Sequence, residues 1–231
     1  MHAKSSALLI SIFLGVWATN VMATEEPQYT VLSEDKNASI EVRRYDPMLI
    51  AEVTVEGDMS DASSQGFKLI ADYIFGNNQV ATGGESEKIA MTAPVTVEPQ
   101  SSKIAMTAPV TVSPSASDTT GGNYAISYDQ TGSWRVNFVM PSQYTLANIP
   151  KPKNDAVTLR ETPEKYVVAL TYSGLNGTEK IQTKIEEVLN WANNQGLKPI
   201  GTPQLARYNP PWTLPMFRRN EIMVEVAKPG S

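Results

Sequence analysis

The chain has no cysteine among its 231 residues, and its one histidine is His2. A disulfide framework and a thiolate metal site are therefore excluded. So is a lipid-modified cysteine behind the N-terminal apolar run. Past position 2 there is no imidazole either, which removes a Ser-His-Asp triad, a Cys-His nucleophile pair and a histidine zinc site. After residue 23 no apolar stretch approaches the roughly 20 residues needed to cross a bilayer. A basic excess is also missing: 19 Lys and Arg stand against 24 Asp and Glu, which is wrong for non-specific nucleic-acid binding. The pairs Arg43-Arg44 and Arg218-Arg219 read as solvated strand ends, not as a phosphate track. No metal-ligand spacing, phosphate-cradling glycine loop or nucleophile elbow is found.

What is there begins with a leader. Lys4 precedes the apolar run Ala7–Val16, and small residues follow to Val21-Met22-Ala23. That order describes a secretory signal peptide over residues 1–23. The expectation is an exported, periplasmic protein with no stable membrane span after cleavage, folded as one domain over residues 24–231.

Inside that domain a decamer, Lys-Ile-Ala-Met-Thr-Ala-Pro-Val-Thr-Val, occurs at Lys88–Val97 and again at Lys103–Val112, fifteen residues on. Its β-branched residues and the turn formers Glu98–Ser102 predict two short strands and a turn. Pro94 and Pro109 lack a backbone donor and suit edge strands. A hairpin about that turn would bring Met91 near Pro109 and Met106 near Pro94. Ser113–Asn123 reads as a flexible loop.

Alternation of apolar and polar residues predicts strands at Tyr29–Leu32, Ile40–Tyr45 and Met48–Val55, an opening hairpin with Asp46-Pro47 as a turn. It predicts more at Tyr124–Tyr128, Trp134–Met140, Val157–Glu161, Tyr166–Tyr172, Gln204–Tyr208 and Glu221–Val226. Phe67, Ile70, Ala71 and Ile74 recur at helical spacing behind Ser60, an N-cap candidate, and Gly76 ends that helix. Thr178 caps a second helix, which buries Ile181, Ile185, Val188, Leu189 and Ala192 and stops at Gly196. Two halves, each with one amphipathic helix on an antiparallel sheet, make an α+β fold.

Four segments resemble the SOUL family of haem-binding proteins: Ile40–Tyr45, Gly66–Asn78, the Met-Thr-Ala-Pro-Val signature within Lys88–Val95, and Arg207–Pro211 with Arg219–Glu221. The resemblance implies a distorted antiparallel β-barrel of two pseudo-symmetric halves, each with a flanking helix, as in the bacterial effector-binding type. It implies a bacterial, exported, non-catalytic member that binds haem or a related tetrapyrrole in an apolar groove as carrier, buffer or sensor. Some family members have a histidine proposed as iron ligand where this chain has Arg44. Haem is therefore expected to be held non-covalently, without a His or Cys axial ligand.

A flat apolar disc with two carboxylates asks for apolar walls and a cation at the mouth. The candidates are Phe67, Ile70, Ala71 and Ile74 on the first helix, which borders the groove in the family. Met91 and Met106, soft and adaptable, are the matching residues of the two decamers. Tyr208, Trp212, Met216 and Phe217 crowd a proline-stiffened loop, with Arg207, Arg218 and Arg219 as propionate partners. Core packing is the competing reading for the helix stripe and the methionines. Two other functions stay open: a small-molecule hydrolase using Tyr208 or Glu221 on water, and an envelope protein that captures a partner on the duplicated hairpin.

Overall fold

The computed structural model describes residues 24–80, 83, 85–99 and 132–230. The leader, the second decamer with Met106, the loop 113–123 and the strand expected at Tyr124–Tyr128 lie outside the described residues. The elements run β1 (Tyr29–Asp35), β2 (Ile40–Tyr45), β3 (Met48–Gly57), α1 (Met59–Ile74), β4 (Asn78–Gln79), β5 (Val95–Pro99), β6 (Gly132–Val139) and β7 (Lys151–Pro152). Then come β8 (Thr158–Thr162), β9 (Lys165–Tyr172), α2 (Thr178–Asn194), β10 (Gln204–Arg207), a short 3-10 helix (Pro215–Phe217) and β11 (Asn220–Val226).

Nine strands form one antiparallel sheet in the order β1-β2-β9-β11-β10-β5-β6-β3-β8, and β4 pairs with β7 apart from it. The expected barrel is not closed: among the described residues the ladder ends at β1 on one side and β8 on the other. The expected hairpins also change partners. β2 is joined to β3 by Asp46-Pro47 but pairs with β9. β8 precedes β9 but pairs with β3. Exchanging β2 for β8, β3 for β9, β5 for β10 and β6 for β11 reverses the order β2 to β8 onto itself. The two halves are thus related by a pseudo-twofold axis between β5 and β10, and each lends its first strand to the other.

Both helices cover one face of this sheet. The core there joins Ile40, Val42, Val53, Val136, Phe138, Val168, Leu170, Leu205, Ile222 and Val224 to Ile70, Tyr73 and Ile74 of α1 and Ile181, Ile185 and Val188 of α2. Each such side chain contributes roughly 1.5–3 kcal/mol by leaving water, so the helix stripes read from periodicity are anchored by packing more than by propensity. The cap of α1 is Asp58, whose carboxylate accepts from Asp61 N at 2.9 Å, and not Ser60. The cap of α2 is Gly177, with no side-chain cap bond, and not Thr178, which is the first helical residue.

The first decamer is mostly not a strand. Only Val95–Val97 of it lie in β5, which runs on through Glu98 and Pro99, where a turn was expected. β5 is also central, between β10 and β6, and not an edge. The preceding residues are spent on tethers: Ile89 N donates to Ile74 O at 2.8 Å, Ala93 N to Glu25 O at 2.9 Å, and the Thr92 hydroxyl to Val139 O. A segment that docks through single backbone bonds needs no ladder.

Candidate functional site

Helix α1 leaves no slot above the sheet. Ile70 and Ile74 are 0% and 1% exposed, and Ala71 is buried beside them. Gly66 lies so close that a Cβ built on it would stand 2.6 Å from Val136 Cγ2. The groove expected between this helix and the sheet is therefore filled by core, and these three residues act as packing. Phe67 differs: it is 39% exposed, with its ring tilted over Phe138 at 5.5 Å between centroids.

The C-terminal end of β10 supplies the charge. Arg207 donates from Nη1 to the Ser63 hydroxyl of α1 at 3.0 Å. Its Nε is buried and has no hydrogen-bond partner among the described residues. Burial pulls its basicity down, which Tyr172 partly offsets and Arg218 adds to. Ser63 and Phe67 are one helical turn apart on the same side of α1. The arginine and the exposed ring thus share one surface.

The loop after β10 follows Arg207 directly in the chain. Arg218 donates from Nε to Thr213 O at 2.8 Å and from Nη2 to Pro211 O at 2.5 Å. Asn209 accepts from Arg219 N at 2.6 Å, and Gly174 N donates to Pro215 O at 2.9 Å. With prolines at 210, 211 and 215, the loop is held from inside and at both ends. It presents Trp212, Leu214, Met216 and Phe217, all more than half exposed. Four large apolar side chains on a fixed loop are an apolar patch of the kind that marks a binding surface.

The other candidates lie elsewhere. Tyr208 follows Arg207 but leaves on the opposite face, as successive residues of an extended chain do. Its hydroxyl donates to Glu221 at 2.7 Å and its ring is covered by the Arg219 guanidinium at 3.7 Å. Met91 is partly exposed, but Ile89 docks its segment at Ile74, eleven residues or about 16 Å along the helix from Ser63. Arg44 bonds Thr30 and faces Glu164 at the β1 edge. Arg219 is committed to Glu26 and Glu221 and Arg218 to the loop, which leaves Arg207 as the one of the three with a buried donor that has no partner among the described residues.

Arg43 is not a solvated strand end. It is 2% exposed and clamps the fully buried Glu221 with two bonds, at 2.8 and 3.1 Å. Arg219 and the Thr171 hydroxyl bond the same carboxylate. Burial pushes the Glu221 carboxyl up, but Arg43, Tyr208 and Arg219 outweigh it and hold it below the usual range. A carboxylate so stabilised is a weak base toward water. The sequence did carry a signal for Arg43: with Glu41 and Tyr45 it forms the second face of β2, and a Tyr on that face marks it as covered.

Two hollows lie on the side of the sheet away from the helices. One of about 200 Å³ lies behind Glu25–Gln28, and one of about 50 Å³ lies within the curl of the strands. Both are smaller than the 300–1,000 Å³ usual for an enclosed drug-sized ligand. Among the described residues no helix is long and apolar enough to cross a membrane, and no group of three or more His, Cys, Asp or Glu is placed to hold a metal ion.

A search among curated protein sequences finds no match. Solved structures of similar fold include the C-terminal domain of EcmrR, 9% identical with a TM-score of 0.51, covering 82% of this chain and 97% of that one. An uncharacterized conserved protein from Listeria innocua is 13% identical, with a TM-score of 0.52 and coverage of 82% and 93%. A hydrolase from Listeria innocua is 13% identical, with a TM-score of 0.51 and coverage of 82% and 92%. At these identities the likeness is one of fold, an effector-binding-like α+β architecture with a large antiparallel sheet and two helices. The sequence itself goes further: the SOUL heme-binding protein model matches residues 24–103 and 98–225. Two matched segments thus span most of the chain, and the protein belongs to the SOUL heme-binding family.

Proposed function

We propose that this protein binds haem or a related tetrapyrrole reversibly and without catalysis, on the outer surface made by Phe67, Arg207 and the loop Asn209–Phe217. Family membership supports the ligand class. The observation that carries the location is Arg207, a half-buried guanidinium whose Nε lacks a partner among the described residues, directly ahead of a loop that exposes four apolar side chains. An orphaned buried donor costs about 1–3 kcal/mol, and a propionate oxygen would satisfy it with a charge-assisted bond. Trp212, Leu214, Met216 and Phe217 would cover one face of the macrocycle and Phe67 would meet its edge. The bound group would supply redox and axial-ligand chemistry. The protein's part is to bind it, orient it by one propionate and shield one face from water.

Residues 24–231 contain no histidine or cysteine, so haem bound here is expected to lack imidazole and thiolate ligands. The leader-like first 23 residues support an exported, periplasmic location, where such a protein would act as carrier, buffer or sensor. Titrating the protein with hemin tests the reading. The expected result is a saturable Soret change with quenching of Trp212. Arg207→Gln should weaken binding by about 10–100-fold, the equivalent of one hydrogen bond to a charged group. No saturable Soret change, or full affinity in a Trp212→Ala, Met216→Ala double variant, overturns it.

A further inference from the structure

The smaller hollow takes its walls from eight of the nine sheet strands, every one except β1. It lies on the pseudo-twofold axis, on the face opposite the proposed tetrapyrrole surface. The pair Tyr45 and Lys165 of β2–β9 corresponds there to Thr162 and Met48 of β8–β3, and Gln204 and Met223 correspond to Thr96 and Asn137. The halves differ in one respect that matters: Lys165 stands where the other half has Met48.

Lys165 is half-buried, and its partial burial lowers the basicity of its ammonium. It makes no hydrogen bond or ion pair among the described residues. Its nearest ring is Tyr45, at 6.0 Å. The carboxylates that act on it, Glu225 and Glu98, do so from beyond ion-pair range, and Glu98 is already bonded to Arg135 and Gln204. Arg160 on the same wall is already paired with Glu52 at 2.8 Å, which leaves Lys165 as the cation there without an ion-pair partner among the described residues. A second donor is also free: Asn137 accepts the Thr96 hydroxyl through Oδ1, and its Nδ2 has no partner among the described residues. A half-buried cation without a counter-charge is unfavourable, and an entering anion would relieve it.

The size and surroundings narrow the anion. A hollow of about 50 Å³ holds a carboxylate head and little more. The neighbouring hollow of about 200 Å³ shares Pro27, Met48 and Val139 with it as walls, an apolar path for a tail. Its walls also include Glu25 and Asp46, which would repel a second carboxylate, while Glu26 is paired with Arg219. We propose that the inner face of the sheet binds a short-chain monocarboxylate, with its head on the Lys165 ammonium and the Asn137 amide and its hydrocarbon tail along Met48, Pro27 and Val139.

Calorimetric titration of the full chain with hexanoate, 1-hexanol and hexanedioate tests this. Hexanoate should bind saturably, and both the alcohol and the diacid should bind at least about tenfold more weakly. Lys165→Met should lose about tenfold or more in hexanoate affinity while its hemin titration stays unchanged, which separates this site from the tetrapyrrole surface. If that variant fails to fold, the three wild-type titrations still decide. Equal affinity for hexanoate and hexanol, equal affinity for hexanedioate, unchanged hexanoate binding in a folded Lys165→Met, or no heat up to about 10 mM ligand overturns the proposal.

Discussion

Glu221 keeps its charge at 0% exposure because Arg43 and Arg219 reach it from two sides. Removing one partner of such a pair typically costs about 3–5 kcal/mol, since the survivor is left charged and dry. Arg43→Met should therefore lower stability by about 3 kcal/mol, at the small end because Arg219 remains. Denaturant melts will read this, and Arg43→Met with Glu221→Leu should recover part of the loss. The same cluster sets the pH limits. The Glu221 carboxyl lies below its ordinary 4.5 when folded, so its contribution is complete above that pH and fades as the pH falls toward the folded value. Burial pushes the Tyr45 phenol up to about 12 from 10.0. The folded state keeps that proton longer than the unfolded chain, so stability falls as the pH rises through this interval. Thermal melts from pH 3 to about 12 should give a plateau that ends at both sides, and Tyr45→Phe should extend the alkaline end.

At the scale of the element, α1 is pressed onto β6 at Gly66. In an exposed helix, Gly→Ala gains roughly 1 kcal/mol. Here the added carbon would stand 2.6 Å from the fully buried Val136, and overpacking costs about 1–3 kcal/mol. Gly66→Ala should therefore destabilise, and Val136→Ala should not rescue it, because the Val136 Cβ that alanine keeps would itself stand 2.7 Å from the added carbon; thermal melts of the single and double variants read this. A helix that merely lay near the sheet would give the opposite sign for the single change. The loop after β10 shows the same economy in another form: Arg218 spends its donors on two loop carbonyls, which is why the loop can hold Trp212 out in water. Periodicity found the stripe of α1 correctly, because Ile70 and Ile74 must face something apolar. It could not tell a groove from a core, since both ask for the same residues. Only the distance to Val136 decides that.

Across the whole molecule, the α+β class and both helices were legible in the sequence, as were most strands to within a residue or two. Strand pairing was not. Asp46-Pro47 and Thr162–Glu164 look like hairpin turns, yet each passes the chain to a distant partner. Local turn chemistry says that the chain bends and not what it meets afterwards. The buried face of β2 was misread for a related reason: a strand covered on both sides can carry Arg43 inward when a carboxylate 178 residues away awaits it. The two halves also invert their charges. Glu221, opposite Ala206, gathers arginines, whereas Arg135, opposite Glu98 in the matching hairpin, gathers Glu52 and Glu98.

That mutual loan of first strands has a consequence for any attempt to cut the chain. Residues 24–140 would carry β2 paired only with β1, its β9 side bare, and β3 with a bare flank where β8 lay. Two copies of this fragment could cure both defects by trading ends, each supplying what the other's own sequence withholds. Produced alone, it is expected to sediment as a two-fold pair instead of a lone globule, and mixing in residues 141–231 should convert that pair into a stoichiometric complex of unlike pieces.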